Sequence, residues 1–294
     1  MIAAHLIVGE REEPILPALL KSLEPFTDVL LVNDNARTDD GVNAEVLARS
    51  TFALEGRMHV DRSPFVDFAD ARNRVLALHR AHAPTAWAAF VDADDVHRPL
   101  ATTIARNLDR VPAGVNRIDA YTRHYIQSFA WYTSIERRLC FFRVTPESVW
   151  INPVHERLTQ GGGAIAIPYV YDHYGWVLPL ERQAEKGRQY ASLGQAGTIY
   201  SADAAKTLDP DDYFGSFWPR ALRYRGSHAA ATDEVRRRLG TRDAAQYAHA
   251  DAAIARVQSL RTRLTNIARN FNFSYRWRGR MLDPRARALV TRRP

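Results

Sequence analysis

Short apolar runs and amphipathic stretches alternate along the first third of the chain. Residues 3–8 (AAHLIV), 28–33 (DVLLVN), 57–60 (RMHV) and 86–92 (AWAAFVD) are compact and bounded by polar or turn residues, which predicts buried strands. Between them, 12–23, 41–55 and 68–82 predict helices. In the last of these Phe68, Ala71, Val75, Leu76, Leu78 and His79 recur near helical spacing. Strand–helix alternation at this spacing predicts a parallel α/β sheet. Such sheets bind ligands at the carboxyl ends of their strands, and the polar clusters of this chain fall there.

The texture changes after Asp95. Residues 99–110 predict a helix, 118–127 and 134–144 two strands, and 161–175 a further strand ending in a loop. The triple glycine 161–163 reads as a hairpin turn, because it lacks the strand–G-x-G–helix setting of a phosphate loop. Beyond Leu180 the pattern turns helical, over 181–191, 232–239 and 244–267. The DPDD stretch at 209–212 is the best candidate boundary between a main domain and a helical extension. The aromatic run YFGSFW at 213–218 reads as an anchor of that extension to the core, in preference to a sugar-stacking groove.

Composition narrows the class. With 294 residues, 46% hydrophobic and 25% charged, the chain can bury a full core as one large domain or two small ones. No run approaches the roughly 18 apolar residues of a membrane span, and the N-terminus has no basic flank of a signal peptide. A single cysteine, Cys140, excludes an internal disulfide and sits in an apolar run as a small hydrophobe. Cytoplasmic residence is the expectation. The net charge of +7 is uneven: residues 211–294 hold 18 Lys+Arg against 7 Asp+Glu, while 1–210 hold 22 against 26. A basic tail of this kind is first a solvated Arg-rich helical face. It also fits peripheral contact with an anionic surface.

Three polar clusters carry the chemistry. In AAFVDADD (88–95) an apolar strand ends in Asp92, Asp94 and Asp95. Two like charges about 4 Å apart cost on the order of 4 kcal/mol at an effective dielectric near 20. A hard dication such as Mg2+ or Mn2+ offsets that cost; acids capping the next helix are the equal alternative. In VNDNARTDDG (32–41), Asp34 leaves a strand end, suited to a ribose or a base, while Thr38 or Asp39 can cap a helix. In DFADARN (67–73), Phe68 packs under the sheet and Arg72 and Asn73 leave the first helical turns. The Arg72 guanidinium suits a phosphate, or a buried pairing with one of the aspartates.

The order REEPIL (11–16), VNDNARTDDG, DFADARN, VDADD, RRLCFFR (137–143), VHERL (154–158) and YDHYG (171–175) resembles glycosyltransferase family 2 over about residues 1–195. The resemblance implies the GT-A fold, a Rossmann-like mixed α/β sheet flanked by helices. It implies a catalytic domain over 1–208, with a nucleotide-binding half to about 95 and an acceptor half from 96. Residues 209–294 then form a basic helical C-terminal extension. The implied activity is a hexosyltransferase-type glycosyltransferase using a nucleotide-sugar donor, a divalent metal (Mn2+ or Mg2+) and an inverting mechanism.

Matched residue by residue, the family places Glu12 and Asp34 near the nucleobase and ribose, and Arg72 near the donor phosphates. Asp92 approaches the ribose, directly or through the metal, and Asp94 is the principal metal carboxylate of a DXD-type motif. His173 is the preferred histidine ligand and His155 the second. Glu156 resembles the general base. Arg11 in place of Asn, Ala36-Arg37 in place of Gly-Ser and Asp95 in place of Glu depart from the pattern and blur the donor preference. Two other classes compete. A nucleotidyltransferase needs a Gly-rich basic loop after the first strand, where GEREEP has one glycine and three acids. A nucleic-acid-binding or other anion-binding protein could use FNFSYRWRGR (271–280), which interleaves arginines with aromatics but matches no known module.

Overall fold

The computed structural model describes residues 1–36, 41–84, 86–194, 211, 214–242, 244–268 and 284–291. It divides into two units. The first comprises Met1–Tyr121, Arg137–Tyr171 and the C-terminal helix; the second comprises Thr122–Glu136 and the described part of Asp172–Gly279.

In the first unit β1 (Ile2–Val8), β2 (Val29–Asp34), β3 (Met58–Asp61) and β4 (Trp87–Phe90) form parallel ladders, β1 pairing with both β2 and β4 and β2 with β3. The alternation in the sequence dictates this. Each crossover is helical: α1 (Leu16–Leu23), α2 (Val42–Ala48) with the short α3 (Thr51–Leu54), and α4 (Phe68–His82). α1 starts at a proline and buries Leu16, Leu19, Leu20 and Leu23 against Leu6, Val8, Leu30 and Val32. α4 buries Ala71, Val75 and Leu76, and its N-cap Asp67 accepts a bond from the Asp70 amide at 2.8 Å.

The sheet continues through β5 (Asp95–Val96), β6 (Val115–Ile126), β7 (Ser128–Arg143) and β10 (Gly163–Trp176) in the order β3-β2-β1-β4-β7-β6-β10-β5, with α5 (Leu100–Arg106) between β5 and β6. β4 pairs antiparallel with β7, Ala88 opposite Phe142, so the sheet is mixed. A separate hairpin, β8 (Val149–Ile151) with β9 (Arg157–Thr159), lies off it. The result is the α/β mixed sheet flanked by helices that the sequence implied.

Three expectations change in detail. The helix expected over 41–55 breaks at Ser50, whose hydroxyl accepts from the Ala53 amide at 3.3 Å and starts α3 anew. The α-helix expected over 99–110 stops at Arg106 and resumes as a 3-10 turn over Leu108–Arg110; between them, the Asn107 side-chain amide donates to the carbonyls of Leu289 in the C-terminal helix α9 (Pro284–Val290) and of Thr291 just after it. α9 thereby adds Ala286 and Leu289 to the first unit's core. The glycines 161–163 are not a hairpin turn, since β9 pairs with β8 and not with β10. Gly162 (φ +93°) lies against Asn116, whose amide a Cβ would overlap, and the Asn116 amide donates to the Gly161 carbonyl.

The second unit contains the far ends of β6 and β7, joined at Gln127 (φ +48°), and β11 (Leu222–Arg223), which pairs antiparallel with β7. Helices α6 (Leu180–Ser192), α7 (Asp233–Arg242) and α8 (Ala244–Val257) follow the expected helical texture. Phe214 and Trp218 pack with Ile126, Leu180, Ala250, Ala253 and Ile254, so the aromatic run serves the core. Of the stretch 209–212 only Asp211 falls within the described residues; Thr38, Asp39 and 271–280 fall outside them. Cys140 is buried and free. No described helix is long and apolar enough to cross a membrane.

One buried polar pair crosses the first unit. His5 on β1 and His79 on α4 are both fully buried, with Nε2 and Nδ1 2.8 Å apart. Burial pushes His79 down to about 4 and, with the neighbouring His79 and Arg72, holds His5 well below the ordinary histidine value of 6.5. Because the folded values are depressed, the pair stabilises the fold fully above about pH 6.5 and loses that contribution as pH falls towards about 4. Urea denaturation across pH 4–7 should therefore show a decline. A double replacement, His5→Leu with His79→Leu, should flatten it, the His79 share alone reaching about 3 kcal/mol. An unchanged pH slope in that variant would rule the pair out as the cause.

Candidate functional site

The carboxyl end of β4 gathers most of the chemistry. Beyond Phe90 and Val91 the chain turns at Asp92, whose carbonyl accepts from the Asp95 amide at 3.0 Å, while the Asp92 amide donates to Asp95 Oδ2 at 3.0 Å. This reciprocal turn places three carboxylates together. Asp92, Asp94 and Asp95 each offer an oxygen, all within 4.8 Å of one another. Asp94 and Asp95 are buried, at 5% and 0% exposure. They do not cap the next helix: α5 begins at Pro99 with no side-chain cap.

Two arginines, Arg72 buried and Arg138 partly buried, hold the cluster from the protein side. Arg72, 3% exposed, lies over the Phe90 ring at 4.2 Å and donates through Nη2 to Asp92 Oδ1 at 2.5 Å. Its Nη1 donates to the carbonyls of His5 (3.2 Å) and Val91 (3.0 Å), and its Nε to Glu156 Oε1 (3.1 Å). Arg138 on β7 donates to Asp92 Oδ2 at 2.6 Å and stands 3.9 Å from Asp95 Oδ1. Burial alone would lower Arg138, but Asp92, Tyr171 and Asp95 outweigh it and hold the guanidinium well above its ordinary value. Both arginines are therefore permanent charges of the site.

The donor set then tests the fit of a metal. Asp92, Asp94 and Asp95 bring carboxylate oxygens within 4.8 Å of one another, with Arg72 and Arg138 bonded to Asp92. A hard dication takes such carboxylate oxygens, which suits Mn2+ or Mg2+.

Glu156 reaches the site from the turn between β8 and β9, and α4 fixes that turn. The Phe68 amide donates to the Pro153 carbonyl at 3.1 Å. Asn73 makes a two-way bridge to Trp150 of β8, donating to its carbonyl and accepting from its amide, both at 2.9 Å. The turn is tight enough that Asn152 (φ +75°) and His155 (φ +54°) adopt left-handed backbone conformations. His155 is exposed there and is not in the carboxylate group. His173, the other histidine candidate, is buried on β10 in the second unit.

The remaining candidates line the ends of the neighbouring parallel strands. Asp34 closes β2 at 1% exposure; its Oδ1 accepts from the Ala36 amide at 3.3 Å and its Oδ2 faces Arg62 at 3.7 Å. Glu12 is half-buried in the segment after β1. That segment is held by Asn43, whose amide donates to the Gly9 and Arg11 carbonyls and whose Oδ1 accepts from the Glu13 amide.

Sequence reasoning passed over Asn43, over the bridging role of Asn73 and over Arg138. It also passed over Asp61, which closes β3 and accepts from Asn33 at 2.6 Å. Asn73 and Arg138 sit inside motifs already noted; Asn43 and Asp61 carry no motif signal.

No protein-family model and no curated protein matches the chain. Among solved structures it is similar to the mannosyltransferase PcManGT from Pyrobaculum calidifontis in complex with GDP-Man and Mn2+, at 15% identity and a TM-score of 0.45, over 98% of this chain and 85% of that one. It is also similar to residues 1–349 of S. aureus TarS, at 11% identity and a TM-score of 0.36, over 98% and 90%. At such scores the likeness does not extend to function.

The clamp makes a stability prediction. Arg72→Met leaves Glu156 without its cation and removes one of the two arginines bonded to Asp92, and should cost about 3–5 kcal/mol in urea denaturation. Arg72→Lys keeps the charge but lacks the fork that spans both carboxylates, and should recover only part. A methionine variant as stable as the parent would show that the clamp does not hold the site together.

Proposed function

We propose that the chain is an inverting glycosyltransferase of family 2 type with a GT-A fold, moving a hexosyl group from a nucleoside-diphosphate donor to an acceptor hydroxyl. The observation that carries the reading is the group of three carboxylates, Asp92, Asp94 and Asp95, at the carboxyl end of β4, with Arg72 and Arg138 bonded to Asp92 and Arg72 also to Glu156. The ordered motifs of residues 11–175 support it.

Asp94 is the principal metal carboxylate, Asp92 assists it, and His173 is the histidine ligand. The exposure of His155 and its place outside the carboxylate group favour His173. A dication bound there supplies Lewis-acid stabilisation of the charge that develops on the departing diphosphate. Glu12 and Asp34, on the strand-end loops flanking β4's neighbour β1, receive the nucleobase and ribose.

Arg72 acts as a positioning residue. Its four hydrogen bonds go to protein groups, so it sets the places of Asp92 and Glu156 in preference to holding phosphate. Glu156 Oε1 is fixed by Arg72, which leaves Oε2 to accept the proton of the acceptor hydroxyl as that oxygen attacks the anomeric carbon.

A panel of nucleotide-sugars should identify one uridine, guanosine or cytidine diphosphate sugar that raises Tm only with Mn2+ or Mg2+ present. Asp94→Ala should abolish that rise; a mutant that responds like the parent would place the metal elsewhere. Glu156→Gln should keep the donor-dependent rise in Tm while transfer slows by about a hundredfold to ten-thousandfold. A glutamine variant with parental kcat would remove Glu156 from the chemistry.

A further inference from the structure

The helical stretch 260–268 of the second unit has one face turned to protein and the other to solvent. Asn266 is buried, and its amide donates to the Pro219 carbonyl at 2.8 Å. Just before the helix, the Gln258 amide donates to the Trp218 and Ala221 carbonyls at 2.9 and 2.6 Å. The Ser259 hydroxyl accepts from the Thr262 amide at 3.2 Å and starts the first turn. This face is therefore anchored.

The opposite face is apolar and open. Leu260, Leu264 and Ile267 are 74%, 57% and 58% exposed. At about 100° per residue they fall roughly 100–160° around the axis from Asn266, in one stripe. Arg263 and Arg261 fall at roughly 60° and 220° and so flank the stripe on both sides. Val257, at the end of α8, is also 42% exposed. Four of the nine exposed large hydrophobics among the described residues thus crowd into eleven positions of sequence, 257–267. The sequence around them holds seven arginines and no acid from 252 to 282.

We propose that this face is a docking surface for an anionic lipid bilayer, with Leu260, Leu264 and Ile267 entering the interfacial region and Arg261 and Arg263 lying against the headgroups. A narrow apolar stripe bordered by arginines on both sides is the pattern of an interfacial helix. Other occupants fit less well. A second copy meeting the same face across a two-fold axis would bring arginines against arginines. A nucleic acid would engage the arginines but leave three aliphatic side chains in water. With no described helix able to span a membrane, the contact is peripheral. The proposal uses no residue of the carboxylate site and stands or falls apart from it.

The test is flotation of the full chain with vesicles of phosphatidylcholine alone and of an equal mixture of phosphatidylcholine and phosphatidylglycerol. The parent should float with the mixed vesicles, not with the neutral ones, and binding should weaken as salt rises. Arg261→Gln with Arg263→Gln should lose roughly fivefold in binding per arginine. Leu264→Ser with Ile267→Ser should lose at least tenfold while keeping the parental Tm.

Three results would overturn the proposal. One is failure of the parent to float with anionic vesicles, and another is parental binding by both variants. The third is conversion of a dimer into a monomer by the serine variant in size-exclusion chromatography, which would make the face a contact between copies.

Discussion

The side chain of Arg72 ties the first unit's chemistry to its fold. A guanidinium cannot shed its charge at any ordinary pH, so burying it at 3% exposure demands acceptors on every side. The protein supplies two backbone carbonyls, from His5 and Val91, and two carboxylates, Asp92 and Glu156. The carbonyls sit on β1 and directly after β4, so the arginine reads the spacing of two parallel strands. The carboxylates come from opposite sides of the proposed reaction. One side chain on the first turns of α4 therefore sets where Asp92 and Glu156 lie. Asn73, the next residue, fixes the hairpin from which Glu156 projects.

This arrangement also answers how so many acids share one corner. Arg138 bonds to Asp92 and stands near Asp95, and Arg72 bonds to Asp92 and Glu156. Helix capping does not account for them, because the chain runs through β5 and Pro99 before α5 begins. Three carboxylates gathered at the carboxyl end of a parallel strand are chemically matched to a dication and the diphosphate it accompanies.

Much of this was legible in the sequence, for definite reasons. The four parallel strands announced themselves because each is a short apolar run between amphipathic helices, and α4 because its apolar positions repeat at helical spacing. The acids at 92–95 were visible as a cluster, but their two readings could not be separated until the start of α5 was seen at Pro99. Arg72 likewise had two readings, and only its four protein partners show the buried pairing. What stayed hidden depends on side chains that bond to distant backbone. Asn43 and Asn73 look like ordinary helix residues, yet each replaces a missing strand neighbour for a loop or a hairpin. Ser50 and Asn107 ended helices that periodicity alone would have continued, because their side chains found backbone partners. Glu156 drew notice only through the family resemblance, since nothing local marks it.

The central claim is that the acids after β4 share their space with a divalent ion and a sugar-nucleotide diphosphate. The most direct measurement is anomalous diffraction from crystals soaked in Mn2+ with a nucleoside diphosphate. The account predicts a manganese peak within coordinating distance of Asp94, with diphosphate oxygens completing its shell and the Arg72 clamp undisturbed. A map with no peak at that corner, from crystals in which the nucleotide is clearly bound, would contradict it.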